Sequence, residues 1–133
     1  MDIKYGSDKN FSAAQLEKLF LSVKWSSGNY PERLKKALGN YDCVISAWDD
    51  DRLIGLVAAM DDGEMTAYIH YLLVDPQYRH CGIGRTLMDM IKAHYKDYLK
   101  IVLVAYTEVV GFYNSLGFKV AEDSIPMCLT DME

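Results

Sequence analysis

The stretch Leu72-Leu73-Val74-Asp75-Pro76-Gln77-Tyr78-Arg79-His80-Cys81-Gly82-Ile83-Gly84-Arg85-Thr86-Leu87 decides how the rest of the chain is read. An apolar run ends at Val74, Asp75-Pro76 turns the chain, two glycines follow, and a helical pattern begins. A strand that feeds a helix through such a loop leaves several backbone N–H groups aimed at one spot, and the positive end of the helix adds to it. That spot suits a phosphate or pyrophosphate. The plainer alternative is a tight strand–helix turn in which glycine only supplies backbone freedom.

Downstream of the loop, Ile83, Leu87, Met90, Ile91 and His94 share one helical face and predict a helix of about three turns. Upstream, Tyr41 to Trp48, Leu53 to Met60 and Thr66 to Val74 are rich in β-branched, aromatic and aliphatic residues. Asp49-Asp50-Asp51 and Asp61-Asp62-Gly63 separate them as turns, which predicts an antiparallel meander. Ahead of it, Ile3 to Tyr5 forms a short strand. Ser12 caps a helix carrying Leu16, Leu19, Phe20 and Val23, and Pro31 opens a second with Leu34, Ala37 and Leu38, stopped by Gly39. Behind the glycine loop, Ile101 to Ala105 predicts a strand buried on both faces. Glu108 to Leu116 predicts a short helix stopped by Gly117, and Phe118–Val120 with Met127–Leu129 a final strand or split hairpin. The order is β-α-α-β-β-β-α-β-α-β: one α/β domain over residues 1–133, a mixed and mostly antiparallel sheet flanked by helices.

Composition narrows the function classes. A net charge of -5 argues against a general nucleic-acid surface. Cys43, Cys81 and Cys128 are odd in number and far apart, so neither a zinc site nor a disulfide framework is expected. No apolar run is long enough to span a bilayer and the first ten residues lack a signal-peptide core, so the expected setting is the cytoplasm, without a membrane partner. The loop itself fails two nucleotide tests. Leu87 stands where a third GxGxxG glycine is required, no acidic ribose partner follows at the right distance, and no GxxxxGK[ST] occurs.

The context of the loop is more specific. Arg79-His80-Cys81-Gly82-Ile83-Gly84 resembles the acyl-CoA signature [Arg/Gln]-x-x-Gly-x-[Gly/Ala] of the GCN5-related N-acetyltransferase (GNAT) superfamily. Phe112-Tyr113-Asn114-Ser115-Leu116-Gly117-Phe118 resembles its FYxxxGF segment, and the strand order resembles its core. The resemblance covers nearly the whole chain. It implies acetyl-CoA as cosubstrate, an amine as acceptor and no metal. It further implies that residues 79 to 84 and the next helical turn, hence Arg79, His80, Cys81, Gly82, Ile83, Gly84, Arg85 and Thr86, hold the pyrophosphate, chiefly through backbone N–H groups. Arg85 either adds a charge contact or stays solvated. The strand end near Leu73 and Val74 would pair with the pantetheine arm where it splays from Ile101–Ala105, and Phe112 would pack beside it. Two departures stand out: Tyr106 and Val109 occupy positions where many members carry Asn and Ala. Dimers are common in the family, and the C-terminal strand region is the expected contact of a homodimer.

Acetyl transfer to an amine needs a neutral nucleophile. A lysine-like amine with a pKa of about 10.4 costs roughly 4–5 kcal/mol to deprotonate at pH 7, so a base must take the proton. The resemblance assigns the leaving thiolate's proton to Tyr113 and the carbonyl's hydrogen-bond donor to the Val74 N–H. Proton transfer from a phenol of pKa about 10 to a thiolate of about 8.5 is uphill by only ~2 kcal/mol. His70 has the right pKa class for the base, against a packed or rim histidine. Glu108 is a second candidate, against a helix-start acid favoured by the dipole. On simple alternation Tyr68, His70 and Leu72 share one face of their strand, and Ile69, Tyr71 and Leu73 the other. His80 reads as a phosphate neighbour, His94 as packed, and Cys81 as loop filler. Trp25, Tyr30 and Trp48 are candidates to line the acceptor site. The segments Val23-Lys24-Trp25 and Tyr30-Pro31-Glu32-Arg33-Leu34 resemble small bacterial acetyltransferases and the plastid arylalkylamine type. A non-catalytic acyl-CoA-binding domain is the alternative: it needs the loop but not Tyr113.

Overall fold

The computed structural model describes residues 2–132. Five strands form one sheet in the order of the chain: β1 (Ile3–Gly6), β2 (Cys43–Asp49), β3 (Arg52–Asp61), β4 (Thr66–Val74) and β5 (Lys100–Leu103). The first four pair antiparallel through short connections. β5 runs parallel to β4 and is reached by a crossover through α3 (Ile83–His94). Helices α1 (Ala13–Ser22) and α2 (Pro31–Asn40) cover one face, α3 covers the other, and α4 (Val110–Ser115) follows β5. The mixed, mostly antiparallel sheet with flanking helices is thus the fold that the sequence predicts.

Local signals fix the helices. Ser12 accepts from the Gln15 N–H while the Gln15 side chain accepts from the Ser12 N–H, a reciprocal cap on α1. Pro31 occupies the first turn of α2, which runs through Gly39 to Asn40 rather than stopping at the glycine. On α3 the buried residues are Ile83, Leu87, Met88 and Ile91. Met88 therefore takes the core place expected of Met90, and Met90 and His94 are exposed. Each fully buried side chain of this kind stabilises the domain by about 1.5–3 kcal/mol.

Two apolar cores sandwich the sheet. Ile54, Val57, Ile69, Leu87 and Ile91 belong to the α3 side; Leu16, Phe20, Leu38, Leu56 and Leu73 belong to the α1/α2 side. Central β3 is covered on both faces, which explains its unbroken apolar run from Leu53 to Ala59.

Two strands carry an extra residue. The register jumps at Ala47/Trp48, leaving Ile54 unopposed in β3, and at Ala58/Ala59, leaving His70 unopposed in β4. The second bulge corrects the simple alternation. Tyr71 and Leu73 lie with His70 on the α1/α2 side, whereas Leu72 joins Ile69 on the α3 side. One inserted residue has exchanged the faces of everything after it.

The C-terminal end differs from expectation. β5 stops at Leu103, is only half-buried, and leaves Val104 57% exposed, because no described strand pairs with its outer edge. Phe118–Val120 and Met127–Leu129 form no strand. Gly117 turns the chain at φ +98, Phe118 packs on the core, and residues 119–132 are exposed coil.

Two glycines in ordinary backbone geometry make opposite predictions. A Cβ on Gly55 would stand 3.2 Å from the Leu73 carbonyl oxygen and 3.5 Å from both Ile83 and Leu87, so Gly55→Ala should lower unfolding free energy by about 1–3 kcal/mol. A Cβ on Gly39 in α2 would meet nothing, so Gly39→Ala should raise it by about 0.4–1 kcal/mol. Urea denaturation of the two variants measures both signs.

Candidate functional site

The loop after β4 is held to the sheet by polar contacts. Asp75 is buried; its carboxylate accepts from Arg52 Nη2 at 3.0 Å and from the Gln77 N–H at 2.9 Å. Its own N–H donates to Ile54 O at 2.8 Å. The same Arg52 guanidinium donates to Gln77 Oε1 and lies 5.5 Å from the Tyr78 ring centre, and the Tyr78 hydroxyl donates to Asp49 Oδ2. The turn is therefore tied to the β2–β3 hairpin before the glycines begin.

Beyond this anchor the backbone opens. His80 and Gly82 both adopt left-handed conformations, with φ +65 and +76, which turns successive N–H groups toward a common concavity. Gly82 caps α3 with no side-chain hydrogen bond, so the first N–H groups of the helix keep their donor capacity. A Cβ on Gly82 would point into open space, and one on Gly84 would meet Phe112 Cζ at 3.7 Å and Val74 Cγ2 at 3.9 Å.

The other residues expected around the loop divide by what they touch. Arg79, His80 and Cys81 are exposed, and Arg79 makes no side-chain hydrogen bond or ion pair among the described residues. The Cys81 thiol turns back to Arg79 O at 3.6 Å. Ile83 is buried, which leaves only its backbone for a ligand. Thr86 donates to Gly82 O at 2.9 Å, within its own helix. Arg85 is exposed and donates to Ser115 Oγ at 2.8 Å, which ties α3 to α4.

The edge of β4 facing β5 supplies a second element. β5 pairs only with Thr66 to Ile69, whereas β3 accompanies β4 as far as Val74. The Asp75 N–H and the Leu73 carbonyl both point toward β3. By the two-residue period of a strand, the N–H and C=O groups of Leu72 and Val74 point the other way, into the splay. Leu73 thus spends its backbone on β3 and buries its side chain under α1, and Leu72 takes the edge position expected of it.

His70 stands at the bulge with its outer side exposed. Its ring centre lies 4.1 Å from that of Tyr71, 5.6 Å from Tyr68 and 5.9 Å from Tyr41, and its Nδ1 shares a hydrogen bond with the Tyr41 hydroxyl. Partial burial among these rings lowers its pKa below the usual 6.5. Tyr41 titrates well above its ordinary range, first through burial and then through its neighbour Tyr71, whose ring is stacked 6.0 Å from its own. The Tyr71 hydroxyl in turn lies 3.3 Å from Ser27 Oγ. Tyr113 packs on the α3-side core between Phe112 and Phe118, and burial raises its pKa. Glu108 is exposed. Trp25 packs against Phe20 and Tyr71; Trp48 stacks on Phe11 and donates to Ser46 Oγ. Of the three aromatic candidates for the acceptor side, Tyr30 lines an open groove.

Sequence reading missed Tyr41, Tyr71, Leu72 and the Arg52–Asp75 pair. Only Asp75 carried a local signal, the Asp-Pro turn. The others depend on the bulge or on partners distant in sequence. Among the described residues, no group of three or more His, Cys, Asp or Glu side chains is placed to hold a metal ion, and no helix is long and apolar enough to cross a membrane.

Comparison with known proteins converges on one family. The family described as an acetyltransferase (GNAT) domain matches residues 9–127. An uncharacterized N-acetyltransferase, ycf52-like, of Prochlorococcus marinus is 34% identical over 110 residues, 78% of this chain and 61% of that protein. The chloroplastic serotonin N-acetyltransferase 2 of Oryza sativa is 33% identical over 103 residues, 71% of this chain and 50% of that one. The chain therefore spans between half and two thirds of the length of these two relatives. A solved GNAT-family acetyltransferase from Streptococcus pneumoniae superposes with a TM-score of 0.83 at 26% identity, covering 99% of this chain and all of the other. With the family match spanning most of its length and the same sheet, loop and helix in place, this chain belongs to the GNAT acetyltransferase family.

Proposed function

We propose that the protein is an acetyl-CoA-dependent N-acetyltransferase that moves an acetyl group directly to a primary amine of a small molecule or protein. The observation that carries this reading is the meeting of three residues from separate segments. Gly84 at the start of α3, Val74 at the end of β4 and Phe112 of α4 lie within van der Waals reach of one point. The open N-terminus of α3 and the unpaired edge of β4 adjoin that point. A merely structural turn needs neither the unpaired edge nor the uncapped helix.

In this reading the backbone from Arg79 to Gly84, with the first turn of α3, holds the pyrophosphate, and the Arg79 guanidinium adds a charge contact. Leu72 and Val74 hydrogen-bond the pantetheine arm as an added strand would, and Phe112 packs against it. When bound, acetyl-CoA supplies an acetyl thioester at this edge. The Val74 N–H is the donor for the carbonyl oxygen, fixed in advance by the strand.

His70 takes the proton from the amine. In the tautomer in which His70 Nδ1–H donates to the Tyr41 oxygen, the Nε2 lone pair is free to serve as the base. The lowered pKa keeps the ring neutral at pH 7, ready to accept. Tyr113, kept protonated by burial, gives its proton to the departing sulfur. One N–C bond forms and one C–S bond breaks; the ammonium present at pH 7 gives up two protons in all, one replacing the proton that Tyr113 hands to the thiolate and one leaving to solvent.

Three measurements test this assignment. Gly84→Val fills the cradle and should weaken acetyl-CoA binding at least tenfold by calorimetry, with the circular dichroism spectrum retained; unchanged affinity makes the loop structural. Tyr113→Phe should lower CoA release with an accepted amine at least tenfold, with acetyl-CoA affinity within about twofold. An acyl-CoA-binding domain without catalysis would instead bind acetyl-CoA and release no CoA with any amine. For the base the sign is fixed: only neutral His70 accepts a proton, and burial lowers its pKa. The acid limb of kcat against pH should therefore have its midpoint below 6.5, and His70→Gln should remove it.

A further inference from the structure

An open groove of about 660 Å³ lies between α2, the Ser26–Asn29 turn and β4. Ser27, Tyr30, Arg33, Lys36, Tyr71 and Met132 are among the residues that line it. Tyr71 joins the groove to the reaction centre, because its ring is stacked 4.1 Å from that of His70. An acceptor that lies along this wall past Tyr71 brings its amine toward His70.

We infer that the acceptor is an amine that also carries an anionic group, a carboxylate or a phosphate, received by Arg33 and Lys36. The inference rests on the transferase reading and adds the chemical class of the substrate. Arg33 and Lys36 stand three residues apart on α2, so their side chains emerge as neighbours. Among the described residues neither makes a hydrogen bond or an ion pair, and no carboxylate lines the groove. Asp131, next to Met132 in sequence, makes no ion pair with them. The one acid of α2, Glu32, lines a neighbouring groove that Lys35 and Lys36 also line, and among the described residues it makes no ion pair with either. Two cations with no ion-pair partner among the described residues share this cleft, in a chain of net charge -5.

The physical consequence is selective. A spermidine-like polyamine or a lysine-rich peptide would bring positive charge against this wall and find no carboxylate there. A carboxylate or phosphate would meet a planar guanidinium fork and an ammonium, which hold either anion through charge-assisted hydrogen bonds. The exposed ring of Tyr30 offers an apolar surface to the body between anion and amine.

Matched pairs isolate the anion. CoA release is measured with phenylalanine against 2-phenylethylamine, with glucosamine 6-phosphate against glucosamine, and with spermidine. The expected result is a kcat/KM at least tenfold higher for the anionic member of one pair, and which pair responds separates carboxylate from phosphate. Arg33→Gln combined with Lys36→Gln should bring that ratio close to one through a higher KM for the anionic member. Both positions are exposed, and thermal unfolding checks that the variant folds. A preference for spermidine or for the neutral members overturns the inference and leaves the transferase reading intact. If acetyl-CoA binds but no amine is turned over, the transferase reading fails. The same pairs are then compared by calorimetry, where equal affinity within both pairs overturns the charge inference on its own.

Discussion

The extra residue in β4 is the constraint on which the arrangement of the site depends. A regular strand would alternate its side chains to the end and send Tyr71 and Leu73 away from His70. With His70 unopposed across from Ala58 and Ala59, the alternation restarts. The strand then presents His70 and Tyr71 side by side to the α1/α2 layer, and Leu72 and Val74 to the α3 layer. A bulge also bends and twists its strand. Here the bend coincides with the place where β5 stops following β4, since their pairing ends at Ile69. One inserted residue thereby aligns a titratable ring on one side of the sheet with an unsatisfied backbone edge.

The two faces of the sheet divide the work. On the α3 side the chain builds a backbone site: an uncapped helix start, two left-handed residues and an open strand edge, with Phe112 closing over Gly84. On the α1/α2 side it builds a side-chain site: a histidine within a cluster of tyrosines, next to a groove walled by α2. Backbone donors suit a ligand whose shape never varies, because they cannot adjust. Side chains on a short helix can be exchanged without disturbing the sheet, so acceptor preference is free to differ between proteins that share the loop. The buried Asp75, held by Arg52 and Gln77, keeps the first site still relative to the second.

Sequence reading recovered the element types and the loop because both are written locally. Ser12 and Gln15 cap a helix through their own neighbours, Asp50 and Asp51 make the turn after β2, and Asp62 holds the turn after β3. What it missed depends on distant partners. The burial of Ile101–Ala105 assumed a further strand outside it, and a run of apolar residues cannot report that its neighbour is absent. Bulges carry no composition signal, so the face of Tyr71 and the edge position of Leu72 were closed to pattern reading. Tyr41 lies 29 residues from His70, and only the folded sheet brings its hydroxyl to the ring. Tyr113 was singled out by motif alone; nothing in its immediate sequence shows that its ring sits between Phe112 and Phe118.

The sequential order of the strands has a kinetic side. β1 to β4 pair with their chain neighbours, and Asp62 pre-forms the last hairpin by accepting from the N–H groups of Glu64, Met65 and Thr66. Contacts so close in sequence cost little loop entropy and form quickly. β5 must wait for the whole α3 crossover, and it then gains only a four-residue parallel ladder. The meander is accordingly the early and durable part of the sheet, and the β4–β5 seam the late and loosely held part. By the same reasoning the seam should open first in amide exchange, with β3 setting the slow limit. The splay between β4 and β5 thus lies along the line where the sheet is least cooperative, which lets it widen without unfolding the layer behind it.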